Sequence, residues 1–282
     1  MKQASAPIIS AAPKKIFVLF NCQNQTLIQA LDRLLPDTVV EGMSTSVFCR
    51  EVDRKRIGEA VEADSFIFLT NGLDIIGDHP AKALLPDVRP VNIDPIVFRG
   101  FHPDAVPIRK DESGTRVLEG MHSRIAHRGF KQGRSAEDII GDFSEITYRE
   151  LGYYDFFHTE QTRFLERFKA NGLDLTPAFR DWMLRGPFMH TTNHPKSYVI
   201  FDLAVALCRR EGWKVDEDLI RFWRPLAEDF LINDMVWPVY PELAEEVGFE
   251  GSTLFRFPRE NKVLTLEAFV RLELEKFEKV AA

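Results

Sequence analysis

The sequence lacks the features that are typical of nucleic-acid-binding proteins and of transmembrane proteins. It has no excess of basic residues, since 36 Lys and Arg stand against 43 Asp and Glu and the formal net charge is −7. Nucleic-acid-binding proteins usually carry a basic stripe, so we do not expect nucleic acid as a partner. No apolar run approaches the roughly 20 residues that cross a bilayer, so no transmembrane segment is predicted.

Cysteine is also scarce, with three residues at positions 22, 49 and 208. They show no paired or CxxC spacing, which argues against a disulfide framework. The first fifteen residues hold only a short apolar patch interrupted by prolines, and a secretory signal would need a longer apolar region. These three observations predict a cytoplasmic protein.

Several cofactor motifs are missing as well. The sequence contains no GxGxxG and no P-loop, so no dinucleotide or triphosphate cradle is indicated. It also contains no GxSxG elbow. His190 and His194 stand four apart, as in a zinc-binding helix, but the glutamate of that motif is missing. Pro195 also disfavours helical backbone at the residue before it. We therefore predict no metal.

The first third of the chain alternates between strand-like and helix-like segments. Residues 16–20 form a continuous apolar run, which predicts a strand buried on both faces, as in parallel sheets. The alternation predicts an α/β part with an open parallel sheet over residues 15–105. We expect residues 1–14 to be disordered. The other predicted strands are at residues 38–40, 65–70 and 91–98, and the helices are at 27–35 and 52–63.

Residues 106–282 are predicted to be mainly helical and to complete the same globular unit. Ser135 begins a sequence that resembles a capping box, and Thr176 before Pro177 predicts an N-cap with a first-turn proline. Pro195 is expected to begin another helix, and Pro225 to kink a later one. One helix is predicted to start at Ser135, and the other predicted helices lie at about residues 156–170, 176–185, 195–211, 220–231 and 265–280.

The strongest candidate for chemistry is Asn21-Cys22-Gln23, directly after the first strand. Ligands of open α/β sheets bind beyond the carboxyl ends of the strands. A helix N-terminus also favours a thiolate, because its unpaired N–H groups and dipole stabilise an anion. Asn21, Gln23 and the backbone N–H groups could donate hydrogen bonds to a developing oxyanion. The alternative is a buried, inert cysteine between two capping amides.

Two further motifs carry polar residues. The segment FRGFHPD follows the last predicted strand and places Arg99, His102 and Asp104 at the same edge of the sheet. Its alternative interpretation is an ordinary loop, because Pro-Asp is common in turns. The segment FMHTTNHP places Asn193 and His194 before a predicted helix, a position suited to a base or an anion site. Helix capping is the alternative here.

A weaker signal is Asn71, which follows the third predicted strand. It precedes a glycine, and Asn-Gly is a frequent turn. We keep it as a candidate for positioning a substrate.

Taken in this order, NCQ, FRGFHPD and FMHTTNHP resemble the WcbI family of polysaccharide-biosynthesis acetyltransferases, over about residues 15–210. The resemblance implies a cytoplasmic enzyme of capsular or exopolysaccharide assembly that binds coenzyme A and moves an acetyl group onto a sugar hydroxyl. It also implies an N-terminal layer similar to that of SGNH hydrolases. By motif, the implied site residues are Asn21, Cys22, Gln23, His102, Asp104, Asn193 and His194.

The anionic end of coenzyme A needs basic groups near a groove. Charge and predicted position suggest Arg99, Arg185 and Lys196, and His190 joins them as a candidate. Each could equally be an ordinary surface residue.

Two mechanisms fit the candidate residues. In the covalent route, His194 or His102 activates Cys22, which takes the acetyl group and passes it to the sugar. In the direct route, a histidine deprotonates the sugar hydroxyl, and Cys22 with its amide neighbours polarises the thioester carbonyl.

Two other functions remain open from the sequence. With water in place of the sugar, the same residues would make an SGNH-like thiol esterase or deacetylase. A non-catalytic accessory protein that binds coenzyme A or a glycan, in contact with a polysaccharide assembly complex, is the third possibility. The sugar and the form of the acceptor are not indicated.

Overall fold

The computed structural model describes residues 11–44, 65–70, 75–76, 79–80, 89–108, 118, 120–257 and 262–281. The chain divides into two compact units, each assembled from separate segments. Unit 1 holds Met1–Ile96, Leu165–Leu184 and His194–Leu231, and unit 2 holds Val97–Phe164, Arg185–Asn193 and Ile232–Ala282. The chain passes from one unit to the other several times along its length.

The described elements are mixed α and β. The strands are β1 (Lys15–Phe20), β2 (Val39–Ser44), β3 (Phe66–Thr70), β4 (Ile75–Ile76), β5 (His79–Pro80), β6 (Arg89–Ile93), β7 (Ala105–Val106), β8 (His122–Ser123), β9 (Met189–Thr191), β10 (His194–Pro195), β11 (Phe255–Phe257) and β12 (Lys262–Leu264). The α-helices are α1 (Asn24–Leu34), α2 (Arg124–Lys131), α3 (Ala136–Gly141), α4 (Glu145–Glu150), α5 (Tyr153–Ala170), α6 (Thr176–Leu184), α7 (Ser197–Arg210), α8 (Glu217–Trp223), α9 (Pro241–Glu246) and α10 (Leu266–Ala281).

Unit 1 is built on a four-stranded sheet in the order β2-β1-β3-β6. All three pairings are parallel, and Ile16 lies opposite Val40 on one side and Phe66 on the other. The side chains of residues 16–20 are at most 4% exposed, so β1 is buried on both faces as its apolar run predicts. The predicted parallel sheet in the N-terminal half is confirmed.

Two helices of unit 1 matter for the candidate site. The predicted apolar face of α1 is buried at Leu27, Leu31 and Leu34, and α1 packs against α7. Helix α7 buries its own apolar residues, among them Leu203 and Leu207. These two helices therefore fix the chain segments that precede them, which carry Cys22 and His194.

Some predicted boundaries are wrong, each for a local reason. The predicted strand at residues 91–98 is β6, which ends at Ile93. Pro95 has no N–H to donate, and the N–H of Ile96 bonds to a side chain instead. The helix predicted at Pro195 begins at Ser197, because Lys196 is an extended N-cap with ψ 151°.

The helix predicted over residues 220–231 is broken. Helix α8 ends at Trp223, and two short 3₁₀ helices follow at Arg224–Leu226 and Phe230–Asn233. Pro225 lies in the first of them, where its missing N–H ends the α-helical hydrogen bonding. The predicted start at Ser135 is confirmed, since its Oγ accepts from the N–H of Asp138 at 3.1 Å. The helix predicted over residues 52–63 lies outside the described residues.

Unit 2 is mainly helical and has an aromatic core. Phe255 stacks on Phe269 with ring centroids 3.8 Å apart, and Tyr148 stacks on Tyr240 at 5.5 Å. A second group of rings surrounds Phe98. The phenylalanines of unit 2 thus serve mainly to pack its core.

Candidate functional site

The Asn21–Gln23 turn lies at a change of direction in the sheet. From β1 the chain moves to β2 on one side, and β3 then pairs with β1 on the other side. In open α/β sheets such a switch point leaves a crevice beyond the carboxyl ends of the two strands. Cys22 stands at the carboxyl end of β1, so its position in the topology is that of a ligand-binding residue.

Side chains on both sides of Cys22 hold this turn. The Oδ1 of Asn21 accepts from the N–H of Gln23 at 3.0 Å, and the N–H of Asn24 donates to the carbonyl of Asn21 at 3.0 Å. The bond to Oδ1 leaves the NH₂ end of the Asn21 amide as a donor group. The turn is thus shaped locally, before α1 begins at Asn24.

Gln23 joins the turn to the chain that follows β6. Its Nε2 donates to the carbonyl of Ile96 at 2.8 Å, and its Oε1 accepts from the N–H of Ile96 at 3.0 Å. The side chain is fully buried. Sequence reasoning assigned Gln23 to an oxyanion and missed this clamp, because its partner is 73 positions away and is a backbone unit without sequence signature.

Cys22 and Cys208 differ in their exposure to solvent. Cys22 is exposed, so it is not the buried, inert cysteine of the alternative interpretation. Cys208 is fully buried in α7, and burial raises the pKa of its thiol to about 12. Because the thiolate is the nucleophile, Cys22 rather than Cys208 has the surroundings of a reactive cysteine.

His194 and Lys196 precede α7 in the same unit as Cys22. The imidazole of His194 is 8% exposed, in the short strand β10. Lys196 is half-buried; burial lowers the pKa of its ammonium, while the carboxylate of Asp229 acts in the opposite direction. Asp229 has no motif around it, and sequence reasoning did not find it.

His102 is a buried residue of unit 2. Its Nδ1 lies 3.3 Å from the carbonyl oxygen of Pro238. Burial lowers the pKa of its imidazole to about 4, although the carbonyls of Pro238 and Met189 favour the protonated form; nearby His190 lowers it slightly further. His102 is therefore neutral near pH 7, and its side chain is 1% exposed.

Asp104 is a hydrogen-bond acceptor in the core of unit 2. Its Oδ1 accepts from the N–H of Ile125 at 3.0 Å and from the hydroxyl of Tyr153 at 3.1 Å, and its Oδ2 from the hydroxyl of Tyr240 at 2.8 Å. Burial raises the pKa of this carboxyl, and the hydrogen bonds oppose the shift. These contacts give Asp104 a structural role.

The first part of the FRGFHPD motif also serves packing. A Cβ on Gly100 would lie 2.4 Å from the ring of Phe98, so only glycine fits there. The guanidinium of Arg99 lies over the ring of Phe156 at 5.3 Å. The aromatic and glycine positions of the motif are thus explained by the core of unit 2, and Arg99 remains a predicted cofactor-binding residue.

The remaining predicted site residues occupy varied surroundings. In unit 2, His190 is buried in β9, the Oδ1 of Asn193 accepts from the hydroxyl of Thr191 at 3.1 Å, and Arg185 is exposed. Asn71 lies outside the described residues. No group of His, Cys, Asp or Glu in the part of the chain that the structure describes has the arrangement of a metal site. In the same part, no helix is both long and apolar enough to cross a membrane.

Comparisons with known proteins agree with the fold and with the three motifs. A family model described as "Polysaccharide biosynthesis enzyme WcbI" matches residues 15–215. A solved structure of WcbI, called a novel polysaccharide biosynthesis enzyme, is similar with a TM-score of 0.72 and 15% identity, over 95% of this chain and 91% of that one. It is described as the native protein without a disulfide bond between coenzyme A and one of its cysteines. No curated protein matches.

Proposed function

Because the chain belongs to the WcbI family of polysaccharide biosynthesis enzymes, we propose that it is an acetyl-CoA-dependent O-acetyltransferase. The proposed acceptor is a sugar hydroxyl of a capsular polysaccharide or exopolysaccharide. The observation that carries this proposal is the exposed thiol of Cys22, at the carboxyl end of β1 and at the switch point of the sheet. The description of the solved WcbI structure, which names coenzyme A and a cysteine together, supports the choice of cosubstrate.

In the proposed covalent route, the thiolate of Cys22 attacks the carbonyl carbon of acetyl-CoA. The bond from that carbon to the sulfur of coenzyme A breaks, and coenzyme A leaves as a thiol after taking the proton that His194 had removed from the thiol of Cys22. The sugar oxygen then attacks the acetyl group on Cys22 while His194 accepts the hydroxyl proton, and the cysteine leaves as a thiolate. We assign His194 because it lies in the same unit as Cys22 and precedes α7.

Donors near the turn support the chemistry at the carbonyl oxygen. The NH₂ group of Asn21 and the N–H groups that follow Asn24 in the first turn of α1 are hydrogen-bond donors near Cys22, suited to the negative charge that develops on that oxygen. Lys196 is the nearest described cation in sequence to His194 and is suited to an anionic part of coenzyme A. We leave Gln23 out of this group because its amide holds Ile96.

Other predicted residues have less support. His102 and Asp104 are buried, and their described contacts are with the core of unit 2. Arg99, Arg185, His190 and Asn193 remain predictions for the binding of coenzyme A or substrate. A cytoplasmic location and contact with a polysaccharide assembly complex also remain part of the proposal.

The covalent route is tested by trapping. The protein is mixed with acetyl-CoA carrying a ¹⁴C acetyl group, quenched in acid and digested, and the peptides are analysed by mass spectrometry. We expect the label on the peptide that contains Cys22, and none there in Cys22→Ala. Transfer to a sugar acceptor by Cys22→Ala at a near-normal rate would contradict the covalent route and leave the direct one.

The esterase alternative rests on the same residues with water as the acceptor. Its test compares two assays on one preparation: release of coenzyme A that depends on a sugar acceptor, and hydrolysis of acetylated sugars without coenzyme A. The transferase predicts activity only in the first assay. Activity only in the second assay would make the protein a deacetylase, and activity in neither would favour a binding protein.

A further inference from the structure

A cavity lies in unit 1, in contact with α7 from Asp202 to Arg210. Its volume is about 430 Å³, within the range of small-molecule sites, and its wall includes Asp202, Arg209, Arg210 and Arg224. At a rise of 1.5 Å per residue, the α7 part of the wall extends from Asp202, roughly 7.5 Å along the helix axis from Ser197, to Arg210, roughly 20 Å from it. The wall thus begins more than one helical turn beyond the start of α7 and does not include His194 or Lys196.

Two arginine side chains on this wall have buried N–H groups without an acceptor. Arg210 donates through Nε to Glu211 at 2.9 Å and through Nη1 to the carbonyl of Asn171 at 3.2 Å. Arg224 donates through Nη2 to Asp181 and Asp202. Within the described part of the chain, neither Nη2 of Arg210 nor Nε of Arg224 has a hydrogen-bond partner. A buried donor without an acceptor has lost its bonds to water without replacing them, so a ligand oxygen that accepts from it would be stabilised here.

The charges around the cavity indicate whether the ligand oxygen belongs to an anion or to a neutral group. Arg209 pairs with Glu217 at 2.6 Å, and Arg210 and Arg224 pair with the carboxylates already named. Asp174 and Asp202 also line the wall. With every arginine matched by a carboxylate, a phosphate dianion gains little from the cations and is repelled by the acids. A neutral ligand has no such penalty.

The lining therefore fits a polyhydroxylated molecule. A hydroxyl group both accepts and donates a hydrogen bond, so one hydroxyl can accept from an arginine N–H while another donates to a carboxylate. Between these polar groups the wall is apolar, with Leu173, Leu175 and Val205. A sugar ring has hydroxyls around its rim and C–H groups on its faces, which matches this alternation.

We infer that this cavity binds one neutral hexose unit of a glycan, through hydrogen bonds to Arg210, Arg224 and Asp202, at a site separate from the Cys22 turn. The inference goes beyond the proposed acetyl transfer and does not rest on it, because binding is measured without acetyl-CoA. A site of this kind would hold a glycan by a sugar unit other than the one whose hydroxyl is acetylated.

The test is saturation-transfer difference NMR with the methyl glycosides of glucose, galactose and mannose. We expect transfer to the ring protons of at least one glycoside with the wild-type protein. Arg210→Met removes the donor, and Ala206→Phe fills the cavity from α7; each should weaken binding at least tenfold. Arg221→Met and Ala268→Phe, at exposed positions of α8 and α10 outside the cavity wall, are the matched controls and should bind as the wild type does.

Each contrary outcome overturns a defined part of the inference. Binding of none of the three glycosides by the wild type, or unchanged binding in both cavity variants with melting curves like the wild type, would reject the site. Tighter binding of glucose 1-phosphate than of methyl glucoside would reject a neutral ligand. Displacement of the glycoside by coenzyme A would mean that the cavity is not separate from the cosubstrate site. Normal binding by Cys22→Ala alongside lost transfer would distinguish this site from the proposed active site.

Discussion

The Asn21–Gln23 turn and the Arg99–Asp104 segment both carry polar residues predicted for the site, but the structure uses these residues differently. The turn leaves the sulfur of Cys22 exposed. The Arg99–Asp104 segment buries the imidazole of His102 and the carboxylate of Asp104 in unit 2. Chemically capable residues after a strand are thus not enough to define a site. The exposure of the Cys22 sulfur, against the burial of His102 and Asp104, separates the two cases.

The largest expected effect is at Cys22. Cys22→Ala should lower the rate of acetyl transfer about 10³-fold or more, because a covalent route cannot proceed without its nucleophile. The free energy of unfolding should change by less than about 0.5 kcal/mol, because the side chain is exposed. Steady-state kinetics and urea unfolding measure the two quantities. A large loss of stability in Cys22→Ala with only a small loss of rate would show that Cys22 has a structural role and not a catalytic one.

Asp104 should show the opposite behaviour. Asp104→Ala leaves the hydroxyls of Tyr153 and Tyr240 and the N–H of Ile125 without their acceptor, so we expect a loss of about 3 kcal/mol in the free energy of unfolding. Asp155→Ala, at an exposed position, is the control and should cost less than about 0.5 kcal/mol. The rate per folded molecule should stay near that of the wild type. A fall in that rate at constant stability would place Asp104 in the active site.

His102 makes the stability depend on pH. Its pKa is about 4 in the folded protein and 6.5 as the ordinary value, so the unfolded chain binds more protons between these values. Stability therefore increases as the pH rises through this window and is lost as the pH falls. Between pH 7 and pH 5 the wild type should lose about 2 kcal/mol more than His102→Gln.

Urea unfolding at both pH values measures this difference, and the raised pKa of Asp104 cancels because both proteins have it. His158→Gln, at an exposed position, should retain the pH dependence of the wild type. An equal slope in wild type and His102→Gln would show that His102 is solvated.

The smallest expected effect is at Gln23. Gln23→Ala removes two hydrogen bonds to Ile96, each worth about 1 kcal/mol, and should lower the free energy of unfolding by about 1–2 kcal/mol. The rate of transfer should fall roughly tenfold, because the turn that presents Cys22 loses its anchor. Gln25→Ala, at an exposed position two residues on, should change neither quantity. A normal rate in Gln23→Ala would mean that the clamp does not position the thiol.

Local patterns predicted much of the fold. The apolar run of residues 16–20 gave β1, the spacing of Leu27 and Leu31 gave α1, and Ser135 marked the start of α3. These signals are local, because burial on both faces, helical periodicity and capping each depend on a few neighbouring residues. The strand order required a long-range pairing, and the sequence analysis predicted only that the strands are parallel.

The site was predictable in part, and the missing part is long-range. Cys22 follows from its place after a buried strand, whereas the structural duty of Asp104 depends on Tyr153 and Tyr240, which lie far along the chain. The clamp between Gln23 and Ile96 has the same character. A polar residue in a loop motif has no sequence signal that tells whether a distant hydroxyl or backbone group will use it.

The amide of Gln23 has one more consequence. A glutamine side chain ends in the same O=C–NH unit as the backbone, so its pair of bonds to Ile96 joins the turn after β1 to the segment after β6, although these two strands are not neighbours in the sheet. An asparagine would be one methylene too short to reach, and a glutamate would have no donor. With neighbouring residues fixing the shape of the loop, the amino acid at position 22 can be selected for its reactivity instead of its fit.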